Sequence, residues 1–351
     1  MSLTDFRTLG RSGLVVSPLA LGTMTFGTPR WGAPDDVSQA IFNEYVEAGG
    51  NFIDTADVYA GGRSEELLGR FVAERRLRDQ LVLATKFTWN ASAGNPNAGG
   101  NGRKNIYRAL DHSLRRLKTD YLDLYWLHAW DMVTPAEEVL RTFEALVQAG
   151  KIRYFGLSDV PAWYVAQMAA LAQAHYVAGP IAMQPEYSLV ARGIEREHVT
   201  AAHALGLGIV PWSPLAGGFL AGKYERTKPG APASGQGRLS GANPFGSSKF
   251  TEQNWRVLDA LREVAAQVGR PLAQVALAWV SAQPGVSALL LGVSKAEQLP
   301  GNLASLEVHL TPAQLRQLEE ASALDLIHPY DIFTPGVNRS IFSGHAVQGW
   351  R

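Results

Sequence analysis

Asn51-Phe52-Ile53-Asp54-Thr55-Ala56-Asp57-Val58-Tyr59 is a short apolar run that ends on an acid and leads into a loop carrying a phenol. Two later runs are built alike. Leu81-Val82-Leu83-Ala84-Thr85-Lys86 ends on an ammonium, and Asp123-Leu124-Tyr125-Trp126-Leu127-His128 ends on an imidazole. Each has the length and the content of a buried strand. Laid side by side in one parallel sheet, the three runs bring an acid, a phenol, an ammonium and an imidazole to one edge. Such a group can protonate a carbonyl oxygen.

Outward from this stretch the pattern repeats. Strand candidates end near Gly22, Thr55, Lys86, His128, Ser158, Gln184, Trp212 and Gly292, eight in all. Helical patterns at 37–48, 64–76, 104–117, 135–149 and 252–268 fall between or beside them. In the helix at 135–149, Thr134 is the expected N-cap, Pro135 the first helical residue and Glu137 the partner in a capping box. Val139, Leu140, Phe143, Leu146 and Val147 make its apolar stripe, and Gly150 ends it. Ser64 is expected to start the helix at 64–76, with Glu65 and Glu66 at its positive end. Strand alternating with helix predicts an α/β fold, and eight such units predict a closed (β/α)8 TIM barrel. No Gly-x-Gly-x-x-Gly follows the first strand, so the open dinucleotide-binding sheet is disfavoured.

The remaining segments fit around that barrel. Residues 6–18, around Gly10-Arg11-Ser12-Gly13, predict an N-terminal β-hairpin. Gly-rich stretches at 91–102 and 229–248 predict long loops on the top face, the second followed by two helices. The whole of 1–351 reads as one barrel domain, with 327–351 as a tail lying over the barrel or against a partner.

Composition removes other classes. Lys plus Arg and Asp plus Glu both number 32, which predicts no attraction to nucleic acid or to an anionic membrane. Arg115, Arg116 and Lys118, the densest basic cluster, read as the solvated end of a helix. The chain has no cysteine, so thiol nucleophiles, thiolate metal sites and disulfides are absent. The start lacks a signal-peptide pattern, and no apolar run approaches the roughly 18 residues of a membrane span. A cytoplasmic protein is expected.

In a barrel the carboxyl ends of the strands form the active site, and Asp54, Lys86 and His128 occupy such ends. A tyrosine titrates near 10. An adjacent ammonium lowers that value, and a carboxylate keeps the ammonium charged and oriented. His128 can then hold a substrate carbonyl. Singly, each residue has a plain structural reading, whether as a surface tyrosine, a solvated lysine or a core histidine. No second histidine stands at a strand end, so a metal site is not expected.

Gly50 through Tyr59, Thr85-Lys86 and Asp123 through His128 together resemble the signature of the aldo-keto reductases, nearer the branch of bacterial-type reductases and potassium-channel β subunits. The likeness runs from Leu9-Gly10 to about Leu306. It implies a (β/α)8 barrel that binds NADPH, with NADH disfavoured, and reduces a small-molecule aldehyde or ketone. In that case Tyr59 is the general acid, Lys86 its pKa-lowering partner, Asp54 the counter-ion of the lysine and His128 the residue that orients the carbonyl.

The same likeness assigns the cofactor contacts. Gly22, Thr23 and Met24 join Asp54 at its inner end. Ser158, Asp159 and Gln184 resemble the group that holds the nicotinamide carboxamide, with Asp159 standing where the family usually has asparagine. A carboxylate there accepts from the carboxamide but cannot donate. Trp212, followed by Ser213, Pro214 and Leu215, resembles the stretch whose aromatic stacks on the nicotinamide. Gly217 and Lys223 belong to the loop that wraps the pyrophosphate. Gly292, Ser294, Lys295, Gln298 and Asn302 match the adenosine end, with Ser294 and Lys295 for the 2′-phosphate. Gly301 replaces the usual glutamate, and Gln298 stands where many relatives have arginine.

Trp31, Trp89 and Trp130 are the candidates for an apolar substrate pocket, with Asp57 and Arg63 as polar neighbours of Tyr59. The competing role is a cofactor-binding regulatory or redox-sensing subunit of a membrane channel. The family's assemblies leave a homo-oligomer open.

Overall fold

The computed structural model describes residues 1–29, 31–226, 238–239 and 249–347. Nearly all of the predicted loop at 229–248, and the last four residues of the predicted tail, lie outside the described residues. A two-stranded antiparallel hairpin opens the chain, with β1 (Arg7–Thr8) against β2 (Val15–Val16). Eight parallel strands follow among the described residues: β3 (Leu19–Gly22), β4 (Phe52–Asp54), β5 (Val82–Phe87), β6 (Leu122–Leu127), β7 (Ile152–Ser158), β8 (Ala182–Gln184), β9 (Gly208–Ile209) and β10 (Leu289–Gly292). They are ordered β10-β3-β4-β5-β6-β7-β8-β9. Backbone bonds between the 208–211 and 285–290 segments complete the circle. Ile209 N donates to Gly285 O at 2.8 Å, Ser287 N to Ile209 O at 2.9 Å and Leu290 N to Pro211 O at 3.0 Å. The (β/α)8 barrel is closed.

Alternation along the strands divides the apolar residues into two bodies. Ala20, Phe52, Val82, Ala84, Leu124, Trp126, Ala182, Val210 and Leu290 fill the barrel interior. Ile53, Leu83, Tyr125, Phe155 and Met183 face outward, where helices such as Ala136–Gln148 and Glu252–Val268 cover them. Trp126 takes so much of the interior that a Cβ on Gly156 would meet its ring at 2.2 Å. Leu9 and Val16 of the hairpin reach the same interior and plug its lower end.

Gly10 makes that plug possible. Its φ is +60°, and a Cβ there would lie 2.4 Å from Ile181 O and 2.5 Å from Gly208 N, both rigid backbone atoms. Gly10→Ala should therefore destabilise the fold by about 2–4 kcal/mol. Gly13→Ala, which would meet only Tyr154 Oη at 3.7 Å, should leave the thermal unfolding midpoint unchanged. Equal midpoints for the two variants would show that the plug carries no such constraint.

The helices are close to those expected, but two caps differ. Pro135, not Thr134, is the N-cap of Ala136–Gln148, and its side chain makes no cap bond. The Thr134 hydroxyl instead donates to Asp131 Oδ2 at 2.6 Å, because Asp131 organises the preceding turn and also accepts from the amides of Val133 and Thr134. Ser64 lies inside the helix Arg63–Arg75. Its buried hydroxyl reaches across to Thr23 O at 2.8 Å. Residues 326–347 leave many large apolar side chains exposed, Phe333 and Ile341 among them, while Tyr330 Oη donates to Glu197 Oε1 at 2.5 Å. No helix among the described residues is long and apolar enough to cross a membrane.

Candidate active site

The barrel register brings the three strand ends together. β4 pairs with β5 and β5 with β6, so Asp54, Lys86 and His128 rise from neighbouring staves at the carboxyl face. The Lys86 ammonium bonds Asp54 Oδ1, Thr55 O at 2.8 Å and Tyr59 Oη at 3.3 Å. Its third contact delivers the ammonium to the phenol. Gln184 Nε2 donates to the second Asp54 oxygen at 3.0 Å. The His128 ring stands edge-on to Tyr59 with centroids 5.9 Å apart and to Trp89 at 6.2 Å.

Burial sets the protonation of this group. It pushes Asp54 above the usual carboxylate range, against the pull of the Lys86 charge and hydrogen bond. Burial alone would lower Lys86, but the Asp54 charge and the hydrogen bonds to Asp54 and Tyr59 outweigh it and hold the ammonium up. Tyr59 is raised by burial, with Lys86 pulling it back. The lysine therefore offsets desolvation rather than bringing the free phenol below its ordinary value. His128 is pushed well down by burial and by the Lys86 charge, so its imidazole is neutral. Its Nδ1 is buried with no hydrogen-bond partner among the described residues.

A cleft of about 1580 Å³ opens above these residues. Asp54, Tyr59 and His128 line its floor, and Ser158, Asp159, Gln184 and Trp212 line the wall beside them. It continues past Ser213, Pro214, Leu215, Gly217 and Lys223, and past Gly22 and Met24, to Gly292, Ser294, Lys295, Gln298 and Asn302. Trp31 and Trp89 border the mouth. Thr23, Lys86 and Trp130 are not part of the lining. Thr23 anchors the backbone of Asp54, Lys86 lies behind Tyr59, and Trp130 packs edge-on to Trp163 at 5.4 Å.

The loops around the cleft hold strained backbone. Ala60, Thr88, Asp159, Ser213 and Ala216 are non-glycine residues with φ of 48°, 134°, 43°, 55° and 48°. Each of these conformations has a cost and persists only where surrounding contacts impose it. At Thr88 those contacts are visible. Its hydroxyl donates to Asn101 Oδ1 at 2.7 Å and accepts from His128 N at 3.2 Å.

Three side chains near Tyr59 behave differently from their sequence reading. Glu65 is fully buried rather than a solvated helix-end acid, and accepts from Thr85 Oγ1 and Arg116 Nε, both at 2.6 Å. It ties the residue before Lys86 to a helix beneath the Tyr59 turn, which also makes Arg116 more than a surface cation. Asp57 is buried, and burial together with Glu65 pushes its carboxyl up to about 7. Arg63 turns away to exposed pairs with Asp35 and Glu66.

Sequence reasoning missed Arg238. Its guanidinium lines the cleft 5.1 Å from the Trp31 ring centroid, while Leu239 packs onto Gly217. It lies in a stretch of Gly, Ser and Pro without periodicity, and its charge amid that stretch was the available signal.

Comparison with known proteins agrees with this geometry. The profile of the aldo/keto reductase family matches residues 18–323. The chain is 35% identical over 322 residues to a probable voltage-gated potassium channel subunit beta of Oryza sativa subsp. japonica, covering 90% of this chain and 95% of that one. It is 35% identical over 326 residues to the uncharacterized oxidoreductase YrpG of Bacillus subtilis, with the same shares covered. It is 35% identical over 331 residues to norsolorinic acid reductase stcV of Emericella nidulans, covering 91% of this chain and 81% of that one. With a closed barrel and a match over nearly the whole chain, this protein belongs to the aldo/keto reductase family of oxidoreductases.

Proposed function

We propose that the chain is an NADPH-dependent carbonyl reductase in which Tyr59 supplies the proton. The observation that carries this reading is the contact of Lys86 with both Asp54 and Tyr59 at the floor of the cleft, beside a neutral His128. A raised phenol stays protonated at neutral pH and is ready to donate. Lys86 then stabilises the phenolate left after donation, and Asp54 keeps that ammonium in place. A neutral His128 can donate a hydrogen bond to the carbonyl oxygen without competing for the proton.

The cleft fits the cofactor. Its volume exceeds the roughly 300–1,000 Å³ of an ordinary small-molecule pocket, which leaves room for a dinucleotide and a substrate together. Gly217 and Gly218 adopt φ of 65° and 95°, which opens their backbone to close approach, and Lys223 and Arg238 line the same cleft. These residues would hold the pyrophosphate, and Ser294 and Lys295 the 2′-phosphate. Ser158, Asp159, Gln184 and Trp212 would hold the nicotinamide. When bound, the cofactor supplies the hydride. Trp31 and Trp89 at the mouth favour a planar apolar aldehyde or ketone over a charged sugar phosphate.

A channel-subunit role is suggested by the names of two plant relatives. As a cofactor-binding regulatory or redox-sensing subunit, slow or inactive as an enzyme, the chain would have little use for a complete set of proton-transfer residues, and that reading is not favoured here. The test is fluorescence titration with NADPH and NADH, followed by turnover of an aromatic aldehyde. Tight NADPH binding with weak NADH binding and measurable reduction is the expected result. Binding of neither cofactor would overturn the reading.

A further inference from the structure

Asp159 places a carboxylate in the cleft wall where the family resemblance leads one to expect a neutral amide. It follows β7 directly, at φ 43°, and its Oδ1 accepts from the Trp212 indole N–H at 3.0 Å. That partner is neutral and leaves the carboxylate charge in place. A hydride donor must sit within about 3–3.5 Å of the carbonyl carbon, and the carbonyl oxygen must reach Tyr59 and His128. A nicotinamide ring so placed shares the floor of the cleft with Asp159, Gln184 and Trp212.

The other charges around this spot largely cancel. Lys86, which acts on Asp159 through space, is paired with Asp54. Glu186 is paired with Lys249 at 2.7 Å. His128 and Tyr59 are neutral at pH 7. Arg238 lies against Trp31 and acts through space on Tyr59 and Glu186 rather than on Asp159.

We propose that ionised Asp159 makes this site bind the oxidised cofactor more tightly than the reduced one, relative to the same site with an amide, and so shifts the equilibrium on the enzyme toward alcohol oxidation. The oxidised nicotinamide ring is cationic and the reduced ring is neutral, so a negative charge on the cleft wall, held in place by the Trp212 indole N–H, discriminates between them even though Asp159 is open to solvent in the cleft. In that direction a hydride would leave the carbinol carbon for the ring, and Tyr59 would take the hydroxyl proton after first giving its own phenolic proton to solvent, with Lys86 stabilising the phenolate in between. The overall equilibrium in solution is unchanged. What changes is which cofactor form accumulates on the protein. Burial raises the Asp159 carboxyl to about 6, against the Trp212 hydrogen bond, so the preference should strengthen as pH rises through that value.

This inference rests on the cofactor reading above, and the two fail differently. Dissociation constants for NADP+ and NADPH would be measured by calorimetry for the native protein and Asp159→Asn at pH 5.5 and 8. The 2′-phosphate titrates near the same pH, but both cofactor forms carry it and its effect drops out of their ratio. At pH 8 the native preference for NADP+ over NADPH should exceed that of Asp159→Asn by about tenfold. At pH 5.5 the excess should shrink to about threefold, because the cationic ring itself holds part of the carboxyl ionised. Equal ratios at pH 8 would overturn the proposal while leaving the reductase reading intact, whereas binding of neither form to the native protein would overturn both. Should Asp159→Asn not fold, the native protein decides alone, since a ratio unchanged between pH 5.5 and 8 would also overturn the proposal.

Discussion

Tyr59→Phe should lower kcat for carbonyl reduction by about three orders of magnitude, within the range general acid catalysis supplies, and leave cofactor affinity nearly unchanged. The variant keeps the ring that stands edge-on to His128 and that the Lys86 ammonium approaches at 5.0 Å from its centroid. It removes only the phenol hydroxyl, whose one hydrogen bond among the described residues is the 3.3 Å contact with Lys86. Stability should barely move, and the thermal midpoint serves as the control. A fall in kcat of less than tenfold would mean that another group gives the proton and would remove Tyr59 from the mechanism. A matching rise in NADPH dissociation constant would instead assign the residue to cofactor binding.

Lys86→Met should unfold much more easily than the native protein, by about 3–5 kcal/mol, the usual cost of stranding one member of a buried ion pair. Asp54 is 1% exposed and would lose its charged partner while keeping the neutral Gln184 hydrogen bond. Its carboxyl would then prefer to be protonated in the folded state far more than in the unfolded chain. A group raised on folding loses stability as pH climbs above its unfolded value, here about 4. The deficit should therefore be smaller at pH 5 than at pH 8 in thermal unfolding. Adding Asp54→Asn removes the stranded charge and should restore most of the stability but none of the activity. A double variant no more stable than Lys86→Met would show that packing, not charge, holds this corner together.

The barrel was legible because its strands are uninterrupted apolar runs with short punctuation between them. Seven of the eight expected ends fall within one residue of the observed strands. The exception is the run toward Trp212, where β9 stops at Ile209 and Trp212 joins the sheet only through a bridge to Glu186. Pro211 and Pro214 cannot donate to a ladder, so pairing breaks there. The convergence of Asp54, Lys86 and His128 was legible for the same reason, since strand ends fix where side chains meet. What could not be read was reach across the fold. Thr134 and Ser64 have good capping chemistry, yet Asp131 and Thr23 compete for their hydroxyls from outside the helix. Glu65 and Asp57 look solvated in a linear sequence and are buried by a helix about fifty residues later. The sequence neighbours of Trp130 point it to the substrate pocket, whereas Trp163 and Tyr164 draw its ring away.

The strained residues around the cleft matter for how this protein can change. At Ala60, one step beyond Tyr59, glycine would adopt φ 48° without penalty. Such a replacement eases the folded backbone but also frees the unfolded chain, and it loosens the turn that aims the phenol. The same conflict recurs at Thr88 beneath His128 and at Asp159 beside Trp212. Selection for heat tolerance and selection for turnover would thus act on the same few positions with opposite preferences. Improvements in robustness would come more readily from the helices outside the barrel, leaving the rim as the part of the sequence least free to drift.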